Sequence, residues 1–224
     1  SIICALLKKN LMQILSALSL IFMGIGLLVE YLILDRKQGR EKGSYYLGIT
    51  LTFIGTWMGS QIDVRQLLFN NILLLWNMEY LSLIMIPIPA LLFVNKMEHG
   101  ICQKELYSLC LFIALCDVFI ITSAGIGVYS FVELNLLVDF LILLTCIAIA
   151  RSFFVIRVKD IDLFKDLTWM IGAGSTLISF SIIELLSFFL NGYENQGRFL
   201  SVGSVIFAFQ MIHMQSMEYN KIQA

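Results

Sequence analysis

The sequence predicts an all-α membrane protein, a bundle of seven transmembrane helices with its N-terminus outside the cell and its C-terminus in the cytoplasm. Three observations support this prediction. Of the 224 residues, 59% are hydrophobic and only 14% are charged, with a mean hydropathy of +0.87, unlike a water-soluble domain. The apolar residues form seven long runs. The 15 Lys and Arg residues are divided very unevenly between alternate connecting segments.

Each apolar run has the length of a membrane-spanning helix. A helix needs about 20 mostly apolar residues to cross roughly 30 Å of hydrocarbon. Strands of a membrane β-barrel would instead alternate apolar and polar residues over about ten positions, so the continuous runs favour helices. The runs comprise residues 12–34, 44–62, 72–94, 106–126, 130–150, 167–190 and 199–214, of which the last is the shortest.

The basic residues predict the orientation. Cytoplasmic loops of membrane proteins carry an excess of Lys and Arg. One side of the predicted bundle has four cations, namely Lys8, Lys9, Arg65 and Arg198. The other side has eleven, namely Arg36, Lys37, Arg40, Lys42, Lys96, Lys104, Arg151, Arg157, Lys159, Lys165 and Lys221. We therefore expect the N-terminus to be outside and the C-terminus to be cytoplasmic in a bacterial cytoplasmic membrane.

The chain reads as one domain with two short ends. Residues 1–11 are predicted to be an extracytoplasmic segment, 12–216 the seven-helix domain, and 217–224 the start of a cytoplasmic connector helix. Residues 204–224 contain neither Pro nor Gly, so the seventh helix is expected to leave the membrane without a break. The loops are too short for a soluble catalytic unit.

The chain lacks the common motifs of catalysis and of metal or phosphate binding. Neither a phosphate-binding loop nor an H-E-x-x-H or C-x-x-C pattern is present, and the two histidines, His99 and His213, lie far apart in sequence. The five cysteines lack metal-ligand spacing and are interpreted as packing residues. We therefore predict no catalytic residue, cofactor or metal for this chain, and no nucleic-acid partner, because membrane orientation already explains the basic loops.

Acidic residues within the runs are the strongest functional signal. Glu79, Asp117, Glu133 and Glu184 are predicted to lie in the outer halves of their helices, and Asp139 near the middle of its helix. A charge facing lipid costs at least about 2.5 kcal/mol, so these carboxyls are expected to face the bundle interior or a water-filled cavity. In the alternative interpretation they reach headgroup water or are neutral and hydrogen-bonded.

Aromatic and amide side chains are predicted at the same level as the acids. Trp57, Gln61 and Trp76 lie in the outer halves of the second and third runs, and Trp76 is three residues from Glu79 on one helix face. An outward-opening pocket with aromatic walls is therefore predicted. Few basic residues offset the acids, so we expect this pocket to bind a cation, an amine or protons.

Small residues predict close helix packing at two places. Gly55 and Gly59 form a G-x-x-x-G pattern on the second helix, and Gly172 with Gly174 gives a second small-residue face on the sixth. Such faces allow helix backbones to approach closely. The pattern fits packing within the chain and also a dimer interface.

Two prolines predict a kink in the third helix. Pro87 and Pro89 remove two backbone donors in its inner half. The kink is interpreted either as a hinge that passes motion inward or as a static bend.

Two segments resemble a known family. The runs at 47–61, LGITLTFIGTWMGSQ, and at 80–94, YLSLIMIPIPALLFV, resemble the bacterial seven-transmembrane receptor modules that precede intracellular signalling domains, especially GGDEF diguanylate cyclases. The likeness consists of Trp57 after small residues and of a Tyr-led third helix ending in Pro87 and Pro89. It implies a sensor with an outer ligand site and a dimeric cytoplasmic output driven by the seventh helix. No GGDEF motif is present.

Two functions therefore remain as expectations. The first is a receptor-like module that binds an unknown small ligand, lies in a lipid bilayer and forms a homodimer through its C-terminal connector helix. The second is a small-cation or proton-coupled transporter, or another integral membrane protein, that uses the acids in the outer half. Transporters usually contain inverted repeats, and seven spans do not divide into two equal halves, which favours the first function.

Overall fold

The structure is all-helical throughout its described residues, as predicted. The computed structural model describes residues 2–35, 43–62, 72–131, 133–191 and 198–223. Helix α1 comprises Ile2–Glu30 and ends in a π-helical turn at Tyr31–Asp35. The other helices are α2 (Gly43–Ser60), α3 (Ile72–Met85), α4 (Pro87–Met97), α5 (Gln103–Ile126), α6 (Asn135–Lys159), the short α7 (Ile161–Asp166), α8 (Thr168–Asn191) and α9 (Arg198–Gln223).

Four stretches of the described residues are long and apolar enough to cross a membrane. They are Asn10–Ile33, Asn77–Met97, Gln103–Ile126 and Asn135–Lys159. These stretches match the first, third, fourth and fifth predicted runs. A shorter apolar segment, Ser201–Met214, lies within α9. The chain thus has the helices of a membrane protein, whereas seven spans and the orientation stay predictions.

Helices α1 and α2 pack closely through glycine. A Cβ atom on Gly55 would lie 2.9 Å from the Ala17 carbonyl oxygen, and one on Gly48 would lie 2.8 Å from the Gly24 carbonyl oxygen. Neither position has room for a side chain. A Cβ atom on Gly59 would instead make an ordinary contact with Ala17 at 3.6 Å. The predicted G-x-x-x-G face is therefore used for packing within the chain.

The glycines of the sixth run lie in a different environment. A Cβ atom on Gly172 or Gly174 would meet nothing within 4 Å among the described residues. The close approach of α8 to α9 depends on Gly203, where a Cβ atom would lie 2.7 Å from Cγ of Phe180. The face predicted at Gly172 and Gly174 therefore makes no close contact among the described residues, and the glycine at the α8–α9 contact is Gly203 of α9, which the sequence analysis did not identify.

The third predicted helix is divided at Ile86. Pro87 has no N–H to donate to the Leu83 carbonyl, and the Ile86 N–H bonds that carbonyl instead at 3.4 Å. Helix α3 ends at Met85, and Pro87 is the first residue of α4, a position where proline is favoured. The kink therefore lies where the prolines predicted it, while hinge motion stays a prediction.

Helix α4 is the centre of this arrangement. It packs against α2, α5 and α6, while α1 packs against α2 and α9, and α9 packs against α8. Helix α9 is continuous to Gln223, as expected from the absence of Pro and Gly after Gly203. Large apolar side chains remain exposed along α5 and α6, including Leu111, Leu115, Leu136 and Phe154, as expected for surfaces that face lipid.

Candidate functional site

An aromatic pair joins α3 to the connection before α6 at one end of the bundle. This end, where α5 ends and α6 begins, is called the α5–α6 end. The ring of Tyr80 on α3 stacks on that of Phe131, with centroids 5.4 Å apart and planes inclined by 8°. The carboxyls of Glu79 and Asp139 both lie within electrostatic range of the Tyr80 phenol. The structure thus places two of the predicted acids, from two helices, beside one aromatic pair.

Asp139 is exposed and is oriented by its own helix. Its Oδ2 accepts a hydrogen bond of 3.2 Å from Nδ2 of Asn135, one turn earlier. The sequence placed Asp139 near the middle of its helix, but α6 begins only at Asn135, so Asp139 lies in the second turn. The carboxylate therefore lies close to the start of α6, on an exposed side of the helix.

Glu133 is engaged in local structure. Its Oε2 accepts hydrogen bonds from the backbone N–H of Ser130 at 2.7 Å and from the Ser130 hydroxyl at 3.0 Å. The Glu133 N–H donates to the Ser130 Oγ at 3.3 Å. This reciprocal arrangement is a capping box, which closes the turn before α6. Turn formation therefore accounts for Glu133 without a ligand.

Asp117 is a buried acid near the middle of α5. Its residue is 4% exposed, and neither carboxyl oxygen has a hydrogen-bond partner among the described residues. It shares the buried face of α5 with Ile113 and Ile120. Nine residues separate it from the end of α5 at Ile126, which corresponds to roughly 13 Å along the helix. An ionised carboxyl in such apolar surroundings requires a positive partner, and otherwise it takes up a proton.

The remaining predicted residues are not gathered around the aromatic pair. Trp57 is half-buried and packs against the apolar core, and Gln61 is exposed in the turn after α2. Trp76 lies in α3 and Glu184 in α8, but both side chains lie outside the described residues. The structure therefore describes a smaller acidic group than the five acids that the sequence predicted at one level.

A buried acid that the sequence analysis missed lies at the opposite end, where α4 leads into α5. This is called the α4–α5 end. Glu98 is fully buried, and its Oε1 accepts a hydrogen bond of 3.0 Å from the Cys102 N–H. Burial raises the pKa of the Glu98 carboxyl above its ordinary value, and burial and the nearby carboxyl raise that of the Cys102 thiol.

Glu98 was missed because it lies in a short basic connection, where acids usually face water. A local signal was present in the chain. His99 and Gly100 follow Glu98 with φ values of 52° and 77°, in the left-handed region that favours glycine. This tight reversal turns the chain back over Glu98 and covers it.

Metal ligation and known relatives give no further guide to the site. No group of three or more His, Cys, Asp or Glu side chains within the described ranges is arranged to hold a metal ion. Comparison with protein-family models, curated proteins and solved structures finds no match for this chain. The likeness of residues 47–61 and 80–94 to bacterial receptor modules therefore stays a prediction from the sequence.

Proposed function

We propose that this chain is the sensor module of a multi-pass protein of the bacterial cytoplasmic membrane. It binds a small cationic ligand at the α5–α6 end and passes the signal through α9 to a cytoplasmic output domain. The observation that carries this proposal is the position of Glu79 and Asp139 beside the Tyr80–Phe131 pair. The sequence resemblance to receptor modules favours a diguanylate cyclase as the output and a homodimer as the active form.

The chemistry of this end fits an organic amine or another small cation. Two carboxylates from separate helices provide negative charge, and Asp139 is exposed to an incoming ligand. Aromatic faces attract cations by about 0.5–2 kcal/mol, depending on how dry the site is.

A physical route leads from this end toward the cytoplasm. Tyr80 lies on α3, and the break at Ile86 separates α3 from α4, so movement at the ligand is expected to change the angle between these helices. Helix α4 packs on α2, which packs on α1, and α1 contacts α9. In this proposal Pro87 and Pro89 act as the hinge. Helix α9, which continues to Gln223, transmits the movement to the cytoplasmic side.

Ligand binding is tested by thermal stability of the purified full chain. The panel contains small primary and quaternary amines, with neutral compounds of matched size. A ligand at 100 times its Kd stabilises the folded state by about 2.7 kcal/mol. We expect amines but not their neutral analogues to raise the Tm, and Asp139→Asn and Glu79→Gln to remove the shift.

The matched control is Glu105→Gln, which removes an exposed carboxylate at the opposite end of the bundle, where it pairs with Arg151 at 3.0 Å. This variant is expected to keep the full shift. Equal loss of the shift in Glu105→Gln would show non-specific charge effects and contradict the proposed site.

Seven spans and the N-out, C-in orientation are also part of the proposal. They are tested by labelling with a membrane-impermeant thiol reagent in intact cells, with the native cysteines measured as background. Ser130→Cys is expected to react from outside. His99→Cys is expected to react only after the membrane is opened, and the reverse pattern would contradict the orientation.

A transporter is the second candidate, and Asp117 is the observation that favours it. A deep carboxyl without a partner among the described residues is typical of groups that bind and release a proton or cation in transit. Purified chain in proteoliposomes would then move protons or small cations down a gradient, and Asp117→Asn would stop this flux. Ligand-induced stabilisation without flux favours the sensor.

A further inference from the structure

The α4–α5 end contains a polar junction that the ligand site does not use. Glu98 comes directly after α4, Cys102 precedes α5, and Ser152 lies on α6, so three elements converge at one carboxyl. Glu98 and Ser152 are almost completely buried, with residue exposures of 0% and 2%. Burial raises the pKa of the Glu98 carboxyl, and this effect outweighs the hydrogen bonds from Cys102 and the nearby Ser152 side chain, which lower the pKa.

The two oxygens of the Glu98 carboxyl differ in their hydrogen bonding. Oε1 accepts the Cys102 N–H at 3.0 Å, whereas Oε2 has no hydrogen-bond partner among the described residues. The neighbouring Ser152 Oγ is also without a hydrogen bond in that part of the chain. A hydrogen bond between Oε2 and the Ser152 Oγ would satisfy both atoms, and its proton belongs either to the Ser152 hydroxyl or to a protonated Glu98.

The charged neighbours do not neutralise this carboxyl. From α5, Glu105 raises the negative potential at Glu98, and its own partner is Arg151 of α6, with which it forms an exposed ion pair. Lys159 at the end of α6 is exposed and acts mainly on Cys102. Lys96 and His99 flank Glu98 in the sequence, and His99 is exposed. On α2, Tyr46 lies deeper, beside Tyr107 and Cys110.

The backbone adds to the negative potential. The C-terminal end of a helix carries a partial negative charge, and Glu98 is the residue that ends α4. A carboxylate is therefore disfavoured here both by burial and by the helix dipole. A neutral carboxyl avoids both penalties and still accepts the Cys102 N–H through Oε1.

We infer that the α4–α5 end is a proton-binding site, in which Glu98 holds one proton on Oε2 and donates it as a hydrogen bond to the Ser152 Oγ. The proton ties the end of α4 to α6. Release of the proton leaves a charged, buried oxygen beside Ser152, which favours opening of this contact to water. The junction thus couples the packing of α4 on α6 to pH at this membrane surface, independently of the ligand proposed for the other end.

The test is an infrared pH titration of the purified full chain, which observes the C=O stretching band of protonated carboxyls. At neutral pH the chain is expected to show this band, and Glu98→Gln is expected to lose one component of it. Ser152→Ala is expected to keep that component at a shifted frequency, because the acceptor of the proposed hydrogen bond is gone. The matched controls are Asp117→Asn, which removes a second carboxyl that is buried among the described residues, and Asp162→Asn, which removes an exposed carboxylate that pairs with Lys165.

Two results would overturn the inference. A carboxylic C=O band of Glu98→Gln identical to that of the parent chain at neutral pH would show that Glu98 is ionised there. Loss of the Glu98 component in NaCl but not in choline chloride would show that the junction is a metal-cation site. If Glu98→Gln does not fold, Ser152→Ala decides, because an unshifted band there contradicts the hydrogen bond.

Discussion

Helices α2 and α8 both carry glycines that look alike in sequence, yet the fold covers one set and leaves the other open. Gly55 lies against the backbone of α1, whereas Gly172 meets nothing within 4 Å among the described residues. The acids divide in the same way. Asp117 and Glu98 are buried, while Glu133 and Asp139 are exposed and accept local hydrogen bonds.

This comparison teaches that residue type and helix spacing do not fix a residue's role in a membrane bundle. A glycine face is a packing site only where a second backbone reaches it. A carboxyl is a strong functional signal only where burial leaves its oxygens without a partner, because an exposed one is satisfied by water or by its own helix. The predictions below test covered positions against open ones.

The largest effect is expected at the glycine of the α1–α2 contact. Gly55→Leu places a side chain where the first added carbon already lies 2.9 Å from the Ala17 carbonyl oxygen. Overpacking of this kind typically costs about 1–3 kcal/mol or more. Thermal unfolding in detergent should show a large loss of stability or no folded protein.

Gly172→Leu is the open counterpart and should change stability by less than about 0.5 kcal/mol. A loss as large as that of Gly55→Leu would show that a partner covers the α8 face. Crosslinking of the parent chain would then reveal whether that partner is a second copy.

A deep and an exposed acid give the next effect. Asp117→Leu removes a buried carboxyl with no partner among the described residues and keeps its approximate volume. Burying an unpaired polar group costs about 1–3 kcal/mol, so the unliganded variant should be more stable by an amount in that range. Asp139→Leu should not increase the stability of the folded chain, because the Asp139 carboxylate is exposed and accepts a hydrogen bond from Asn135. Chemical unfolding of both variants checks this, and destabilisation by Asp117→Leu would reveal a partner for the carboxyl.

Glu98 gives a stability difference that depends on pH. Its carboxyl has a raised pKa in the folded chain, because burial disfavours the charge. The folded state therefore holds a proton that the unfolded state has released, and stability falls as pH rises above the ordinary Glu pKa of about 4.3. Glu98→Gln cannot ionise, so its stability relative to the parent chain should increase from about pH 4 to pH 8. Thermal unfolding measured across this interval checks the sign, with Asp162→Asn, which removes an exposed carboxylate, measured alongside as the control.

The smallest effect is expected at the capping box. Ser130→Ala removes the hydroxyl that bonds both the Glu133 carboxylate and the Glu133 N–H. Loss of a helix cap typically costs about 0.5–2 kcal/mol, and the low end is expected at this exposed site. Amide hydrogen exchange should increase in the first turn of α6 and remain unchanged at the α4–α5 end. Faster exchange at both ends would mean that the cap supports more than its own turn.

Much of the fold was predictable because its causes are local. Apolar runs of sufficient length predicted the helices, and Pro87 removed the donor whose loss divides α3 from α4. The G-x-x-x-G spacing located Gly55 in the α1–α2 contact. The hydrogen bond between Asn135 and Asp139 has an equally local cause, since residues four apart on a helix share a face.

The candidate site was only partly predictable. The sequence identified Glu79, Asp117 and Asp139 as acids within apolar helices, but it gave no means of knowing that Phe131 stacks on Tyr80 between two of them. It assigned Glu133 to the pocket, whereas the Ser130 bonds hold that carboxylate in a turn. It placed the basic α4–α5 connection in water, and the fold buried Glu98 there.

The sequence by itself determined a helical membrane chain, the approximate positions of its apolar helices and the kink at Ile86, because each depends on residues within a few turns of one another. Only the tertiary structure decided which glycine is in close contact with another helix and which carboxyl is buried. Those properties depend on which distant helix lies opposite, and the residue type of a glycine or an acid does not identify that helix. The open Gly172 and the buried Glu98 are the two clearest cases.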